Sequence, residues 1–316
     1  MPQLDLPKAV RSDTTFQDPE GVLRYVRRLG DFKPLYAEKA VVDITGPRPK
    51  TGWFRTLLDI PALRASDDGD FFERELLFNR SFIEGSKESF DAAIVVPTSL
   101  AINVSSPAPS TNPHRDVHRY RTVPEIPHYM HALLLSSELF EAWSIRQSSA
   151  LAWFYPGPGG EFEYWPHGPD APSERVGPPM HNVSLVSDNN YMFHRICAVG
   201  NEPEYLDDTH LSEGSQIFPV GDRDWEVRDG EIVQAALPRE HVRVAIVWKA
   251  NVFRSETERQ RVEDSRSVLT VREMVNIFCQ DLTTRGIRFS RPDNPFNDQR
   301  WDSILRETYP IYAAPR

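Results

Sequence analysis

His241-Val242-Arg243-Val244-Ala245-Ile246-Val247-Trp248 reads as a β-strand that carries a guanidinium among apolar, mostly β-branched neighbours. Successive side chains on a strand point to opposite faces, so Arg243, Ala245 and Val247 share one side. An arginine on an inward face needs an anion, either one of the protein's own carboxylates or a bound ligand. Working outward, similar short runs occupy residues 92–96, 100–104, 150–155, 182–186 and 191–199, most of them separated by turn residues. The 27 prolines against 16 glycines fit strands broken by turns better than a helix bundle. The middle of the chain is therefore expected to be an antiparallel β-sandwich or barrel.

Helical spacing flanks this core. Val22, Tyr25, Val26 and Leu29 make one apolar face within residues 16–29, and Gly30 is placed to stop the helix. Residues 71–78 and 125–144 have helical character, the latter with Tyr129, Leu133, Phe140 and Trp143 on its apolar side. Val271, Met274, Val275, Phe278 and Leu282 define a helix over residues 270–284, and a short one starts at Trp301. Residues 40–44 and 53–60 read as further strands. No linker or repeat divides the chain. The expectation is one domain over 1–316, with an N-terminal flank (1–90), a β core (91–255) holding an insertion (202–240), and C-terminal helices with a tail (256–316).

Charge and composition exclude several functions. Lys and Arg number 36 against 46 Asp and Glu, a net charge of -10, and phosphate backbones need clustered cations. No apolar run approaches the roughly 20 residues that span a bilayer, and residues 1–13 lack a hydrophobic signal core. No nucleic-acid partner and no membrane partner are expected, and the location expected is cytoplasmic. Two cysteines, Cys197 and Cys279, cannot form a disulfide framework.

The candidate chemistry lies in two histidine segments. In His114-Arg115-Asp116 an imidazole and a carboxylate two residues apart can reach one metal ion from an extended segment. His118, in the same register, is a rival ligand. His194 sits in the apolar run Tyr191-Met192-Phe193-His194-Arg195-Ile196-Cys197, where both ring nitrogens need partners. Read separately, these are a surface loop and a satisfied core histidine. Read together, His114, Asp116 and His194 are two imidazoles and one carboxylate, the donor set of a facial triad on non-haem iron(II).

With Arg243 added, the order of residues resembles the iron(II)/2-oxoglutarate-dependent dioxygenases, closest in style to the branch of isopenicillin N synthase. The resemblance runs from about Asn103 to Phe253. It rests on Asn103 with Ser106-Pro107, on His114-Arg115-Asp116, on Gly159-Gly160-Glu161-Phe162, on Phe193-His194-Arg195-Ile196 and on Arg243-Val244-Ala245-Ile246. It implies a double-stranded β-helix (jelly-roll, cupin-like) core and iron(II) on His114, Asp116 and His194. It also implies 2-oxoglutarate held through its distal carboxylate by Arg243, with Asn103 nearby. Oxygen would then oxidise an unactivated C–H bond of a small molecule, an amino acid or natural-product intermediate, with release of succinate and CO2. Hydroxylation, desaturation and ring closure are the outcomes such chemistry allows. Two departures stand out. Ala245 occupies the place where the family pattern often has serine, and residues 202–240 lengthen the spacing from His194 to Arg243 and are expected to lie partly over the site.

Strand alternation offers Trp153, Tyr155, Phe162 and Tyr164 as substrate contacts, each also readable as core. The apolar tail Tyr309-Pro310-Ile311-Tyr312 would bring Ile311 and Tyr312 over the pocket as a lid. Three alternatives remain open at this level: an iron(II) oxidase that does not use 2-oxoglutarate, a jelly-roll binding protein without catalysis, and a zinc hydrolase with Glu125 or Glu161 as general base. The oligomeric state is not encoded in any of these patterns.

Overall fold

A computed structural model describes residues 6–34, 51–57, 66–127, 129–206, 211–212, 214–264 and 266–310. They divide into two compact units, one drawn from residues up to Arg115 and from Gln147–Arg254, the other from Asp116–Arg146 and from Ser255 onward.

The first unit is mainly β. Its strands are β1 (Val10–Ser12), β2 (Lys33–Pro34), β3 (Gly52–Leu57), β4 (Ile94–Ser105), β5 (Gln147–Tyr155), β6 (Phe162–Tyr164), β7 (Glu174–Val176), β8 (Met180–Ser187), β9 (His194–Ile196), β10 (Gln216–Val220), β11 (Asp224–Asp229), β12 (Ile232–Leu237) and β13 (Arg243–Phe253). A seven-stranded antiparallel sheet has the order β1-β8-β5-β13-β4-β3-β2, and a smaller sheet has the order β7-β6-β9. Side chains alternate across the large sheet. Leu100, Ile102, Val104, Val244, Ile246 and Trp248 join the helix Pro19–Arg28 in one core, with Phe82 of the helix Arg80–Phe90. Phe82 packs at a tilt on Trp248, ring centroids 5.5 Å apart, and the Trp248 indole N–H donates to the Leu77 carbonyl at 2.9 Å. From the opposite face Trp153, Tyr155, Val183, Leu185 and Ala245 meet Phe162, Tyr164 and Val176 of the small sheet. Two antiparallel sheets closed on one aromatic layer, with helices on the outer face, make the jelly-roll core of a double-stranded β-helix.

Several elements differ from the sequence expectation. Residues 92–96 and 100–104 belong to one strand, β4, and Pro97 falls where the register with β13 shifts, a place that tolerates its missing N–H. The run 191–199 is a strand only over His194–Ile196, because the amides of Tyr191 and Met192 turn back to the Asp188 carbonyl. Residues 71–78 form the end of a short helix, Gly69–Phe71, and a π-helical turn, Phe72–Leu77. The helix Arg80–Phe90 has no counterpart in the sequence reading. Asn79 caps it, and Gly85 lets it approach Val186, whose Cγ2 an added Cβ would meet at 2.9 Å. The described part of the segment 202–240 packs into the core on the helical side of the large sheet. Its strands β10-β11-β12 form their own sheet, and Ile217, Trp225, Val227 and Leu237 enter the core that contains helix Pro19–Arg28. Arg27 anchors it by donating to the carbonyls of Val220, Gly221, Arg223 and Asp224. Residues 40–44 and 58–60, expected as strand, lie outside the described residues.

The second unit is helical. Met274, Phe278 and Leu282 of the helix Val271–Thr284 pack with Trp301 and Leu305 of the helix Gln299–Thr308 and with Leu133 and Leu134. Thr270 and Glu273 close the N-terminus of the longer helix as a capping box. The expected helix over 125–144 is shorter, Met130–Ser137. Glu138 takes a left-handed conformation (φ 59°) that ends it, and a 3-10 turn comes next at Glu141–Trp143. Arg121 ties the unit together by donating to the carbonyls of Ala142, Arg261 and Ser267. No described helix is long and apolar enough to cross a membrane.

Candidate functional site

His114 and His194 are brought together by backbone. His114 N–H donates to the His194 carbonyl and His194 N–H to the His114 carbonyl, both at 2.9 Å, and the rings lie 4.5 Å apart. Each ring is also held by its own segment. The Nδ1 of His114 lies 2.9 Å from the Asn112 carbonyl, and that of His194 lies 3.1 Å from the Met192 carbonyl. A carbonyl only accepts, so Nδ1 is the donor in both of these contacts and Nε2 is the ring nitrogen that would serve as a metal ligand. Asp116 completes the group. One potential ligand atom from each of His114, Asp116 and His194 lies within 4.8 Å of the others, the only such group of three among the described residues.

The donor set fits a divalent transition metal. Two neutral imidazoles and a carboxylate on one side of an ion leave positions for other ligands, the pattern of non-haem iron(II). His118 does not join them. Its Nε2 is 2.7 Å from the Ser144 hydroxyl, and His131 Nδ1 bonds the His118 carbonyl.

Arg243, at the start of β13, is 1% exposed. Its Nε donates to the Gly160 carbonyl at 2.9 Å, while its Nη2 is buried with no hydrogen-bond partner. Burial pushes its pKa down to about 10, still above neutrality, so it stays cationic. Among the described residues it has no carboxylate in salt-bridge contact, so the internal ion pair weighed from sequence does not form there. A buried cation with an open N–H fits an anionic ligand. Ala245 is buried on the same face and, having no hydroxyl, offers no second donor.

A track of rings runs from this guanidinium to the metal-ligand group. Arg243 Cζ lies 5.9 Å from the Trp153 ring, Trp153 lies 5.3 Å from Phe162, and Phe162 lies 5.4 Å from His194. The strand register accounts for it. Ala245 is opposite both Trp153 on β5 and Asn103 on β4, and Tyr164 on β6 is opposite His194.

The other residues named from sequence have these surroundings. Asn103 is buried, and its Oδ1 accepts from the Ser105 hydroxyl at 2.9 Å. Trp153, Tyr155, Phe162 and Tyr164 are all buried in the layer between the two sheets. The Tyr155 hydroxyl donates to the Pro158 carbonyl and accepts from the Gly200 amide, and Tyr164 donates to Glu174. Both tyrosine hydroxyls are thus engaged within the protein. Asn182 on β8 clamps the backbone of Phe16, its side-chain oxygen accepting from the Phe16 N–H and its NH2 donating to the Phe16 carbonyl. Ile311 and Tyr312 lie outside the described residues.

Sequence reasoning missed Glu163. This buried carboxylate on β6 accepts from Ser173, Arg175 and Arg195. Burial alone would raise its pKa, but these hydrogen bonds outweigh that and hold it below the usual carboxylate value. The signal was available: Arg195 alternates with His194 and so must find its partner on the other side of the small sheet.

No family model and no curated protein matches the chain. Among solved structures it is similar to oxygenases. An oxidoreductase of the 2OG-Fe(II) oxygenase family from Burkholderia pseudomallei is 12% identical, with 78% of this chain and 86% of that chain covered at a TM-score of 0.41. A prolyl hydroxylase from Trichoplax adhaerens, solved in complex with a hypoxia inducible factor oxygen degradation domain peptide fragment, is 12% identical over 80% of this chain and 86% of that chain, with a TM-score of 0.40. AviO1 from Streptomyces viridochromogenes Tue57 is 13% identical over 79% of this chain and 91% of that one, with a TM-score of 0.37. The likenesses are distant, and the functional reading rests on the chain's own residues.

Proposed function

We propose that this protein is a non-haem iron(II)/2-oxoglutarate-dependent oxygenase that oxidises an unactivated C–H bond of a small molecule. The observation that carries the reading is the combination of the His114, Asp116 and His194 group with a buried, partly unpartnered Arg243 in one jelly-roll core. His114, Asp116 and His194 would hold iron(II), and Arg243 would take the distal carboxylate of 2-oxoglutarate. Bound together, the metal and 2-oxoglutarate supply oxidation by O2 coupled to loss of CO2 and formation of succinate.

The protein's own part is orientation and exclusion of water. The Nδ1–H groups of His114 and His194 stay on backbone carbonyls, which fixes each ring and keeps Nε2 toward the metal. The Arg243 side chain is held by the Gly160 carbonyl, so its remaining N–H groups are aimed before the ligand arrives. Trp153 and Phe162 line the interval between Arg243 and His194 with apolar surface, which keeps water out and strengthens the charge contact. An amino acid or natural-product intermediate is the substrate class, and hydroxylation, desaturation or ring closure the outcome, as in the isopenicillin N synthase branch that the residue pattern resembles.

Ala245 favours one competing reading. Without the hydroxyl common two places after the arginine, the pocket suits an iron(II) oxidase that draws its electrons from substrate alone. Succinate separates the two. Protein loaded with iron(II) without oxygen, then given 2-oxoglutarate and air, is expected to form succinate, and the His194→Ala variant none. Tight iron binding with no succinate across a panel of amino acids would overturn the 2-oxoglutarate reading in favour of the oxidase.

A further inference from the structure

Trp153 carries a second open donor beside Arg243. Its indole Nε1 is buried without a hydrogen-bond partner, as is Arg243 Nη2, and the guanidinium carbon lies 5.9 Å from the indole ring centroid. Both side chains stand on the same face of the large sheet, on the adjacent strands β5 and β13, and both are fully buried. An unpartnered indole alone marks nothing in this protein, since Trp225 and Trp301 have one as well. Trp225 also lies under an arginine, but that Arg27 fills its guanidinium with backbone carbonyls. Among the described residues, only Trp153 combines an open indole N–H with a ring-contacting arginine that itself has an open N–H. Two buried donors left open side by side are costly unless one acceptor serves both, and a carboxylate has two oxygens to offer.

We infer that the Trp153 indole N–H is the second donor to the carboxylate held by Arg243, in the role that the hydroxyl missing at Ala245 would have filled. The inference rests on the 2-oxoglutarate reading above and deepens it. It also reassigns Trp153 from a substrate contact to a co-substrate contact. Ala245 fits this arrangement: it lies directly opposite Trp153 in the register and brings no hydroxyl of its own.

The test uses the full chain loaded with zinc(II), which is diamagnetic and does not turn over. With 15N-labelled indoles the seven tryptophans give seven resolvable N–H resonances, and Trp153→Phe identifies the one that matters. Titration with 2-oxoglutarate is expected to move the Trp153 proton downfield, as a hydrogen bond to a carboxylate does. By calorimetry, Trp153→Phe should weaken 2-oxoglutarate binding about tenfold while zinc affinity is unchanged. Adding Ala245→Ser to Trp153→Phe should recover part of that loss. If the parent binds 2-oxoglutarate and Arg243→Met abolishes it, yet the indole resonance stays still and Trp153→Phe binds as the parent does, this inference is overturned and the oxygenase reading stands. If the zinc-loaded parent binds no 2-oxoglutarate, both are overturned.

Discussion

His114 and His194 face each other as a two-way backbone pair, each amide donating to the other's carbonyl at 2.9 Å. Two candidate ligands from distant parts of the sequence are thus positioned by main chain, which is indifferent to the side chains they carry. Replacing either imidazole should leave this frame standing. His114→Ala is expected to cost less than about 1 kcal/mol of metal-free stability, since the residue is exposed. Urea unfolding of metal-free protein checks it, and a loss of several kcal/mol would mean the ring is structural.

Arg243 should trade stability for function. Its guanidinium is buried, cationic and incompletely bonded, and an apolar side chain of similar length avoids that desolvation. Arg243→Met is expected to melt at the same temperature as the parent or higher, although it gives up the bond to Gly160. It should bind 2-oxoglutarate at least about 100-fold more weakly, the scale of a lost charged bidentate contact. A folded variant that melts well below the parent yet binds 2-oxoglutarate as tightly would show that Arg243 is an internal structural cation.

Glu163 gives a pH signature. Its folded pKa lies below the ordinary 4.5, so its contribution to stability is present above that value and is lost as pH falls through the lower folded pKa. Glu163→Gln should therefore destabilise the protein by about 1–3 kcal/mol near neutrality, and the gap to the parent should close in acid. Stability curves for the two proteins between neutral and acidic pH test this. A gap that does not narrow in acid would remove the charge of Glu163 as its cause.

Gly159 tests the platform under Arg243. It has φ +72°, and a Cβ there would collide with the Ala198 carbonyl oxygen. Gly159→Ala is expected to cost about 3 kcal/mol or more, because both the backbone conformation and the space are refused. The neighbouring Gly160 carbonyl, which orients Arg243, should shift with it, so 2-oxoglutarate affinity should drop alongside Tm. Unchanged affinity in a destabilised variant would detach the glycine turn from the pocket.

Much of the site was legible because it is written in strand alternation. Arg243 and Ala245 share a face at a spacing of two, and His194 and Arg195 part to opposite sides, as the sequence implies. The His-x-Asp spacing likewise anticipated that His114 and Asp116 approach one point, with His194 as third. What was not legible depends on partners remote in sequence. Nothing near residues 202–240 announces that this segment packs on the helical side of the large sheet through Trp225 and Arg27. The hydroxyls of Tyr155 and Tyr164, residues the sequence offered as substrate contacts or as core, are taken by a backbone loop and by Glu174, contacts set by tertiary packing. The 125–144 helix was overextended because apolar spacing continues past Glu138, where the backbone turns left-handed.

The central claim is that His114, Asp116 and His194 hold one metal ion. Equilibrium dialysis of iron(II) against the full chain under argon tests it most directly, with His194→Ala and Asp116→Ala in parallel. One tightly bound iron per parent chain is expected, falling in both variants by two orders of magnitude or more in affinity, about 2.7 kcal/mol or more, while the variants stay folded. A parent that binds no iron, or folded variants that bind it as tightly as the parent, would contradict the claim.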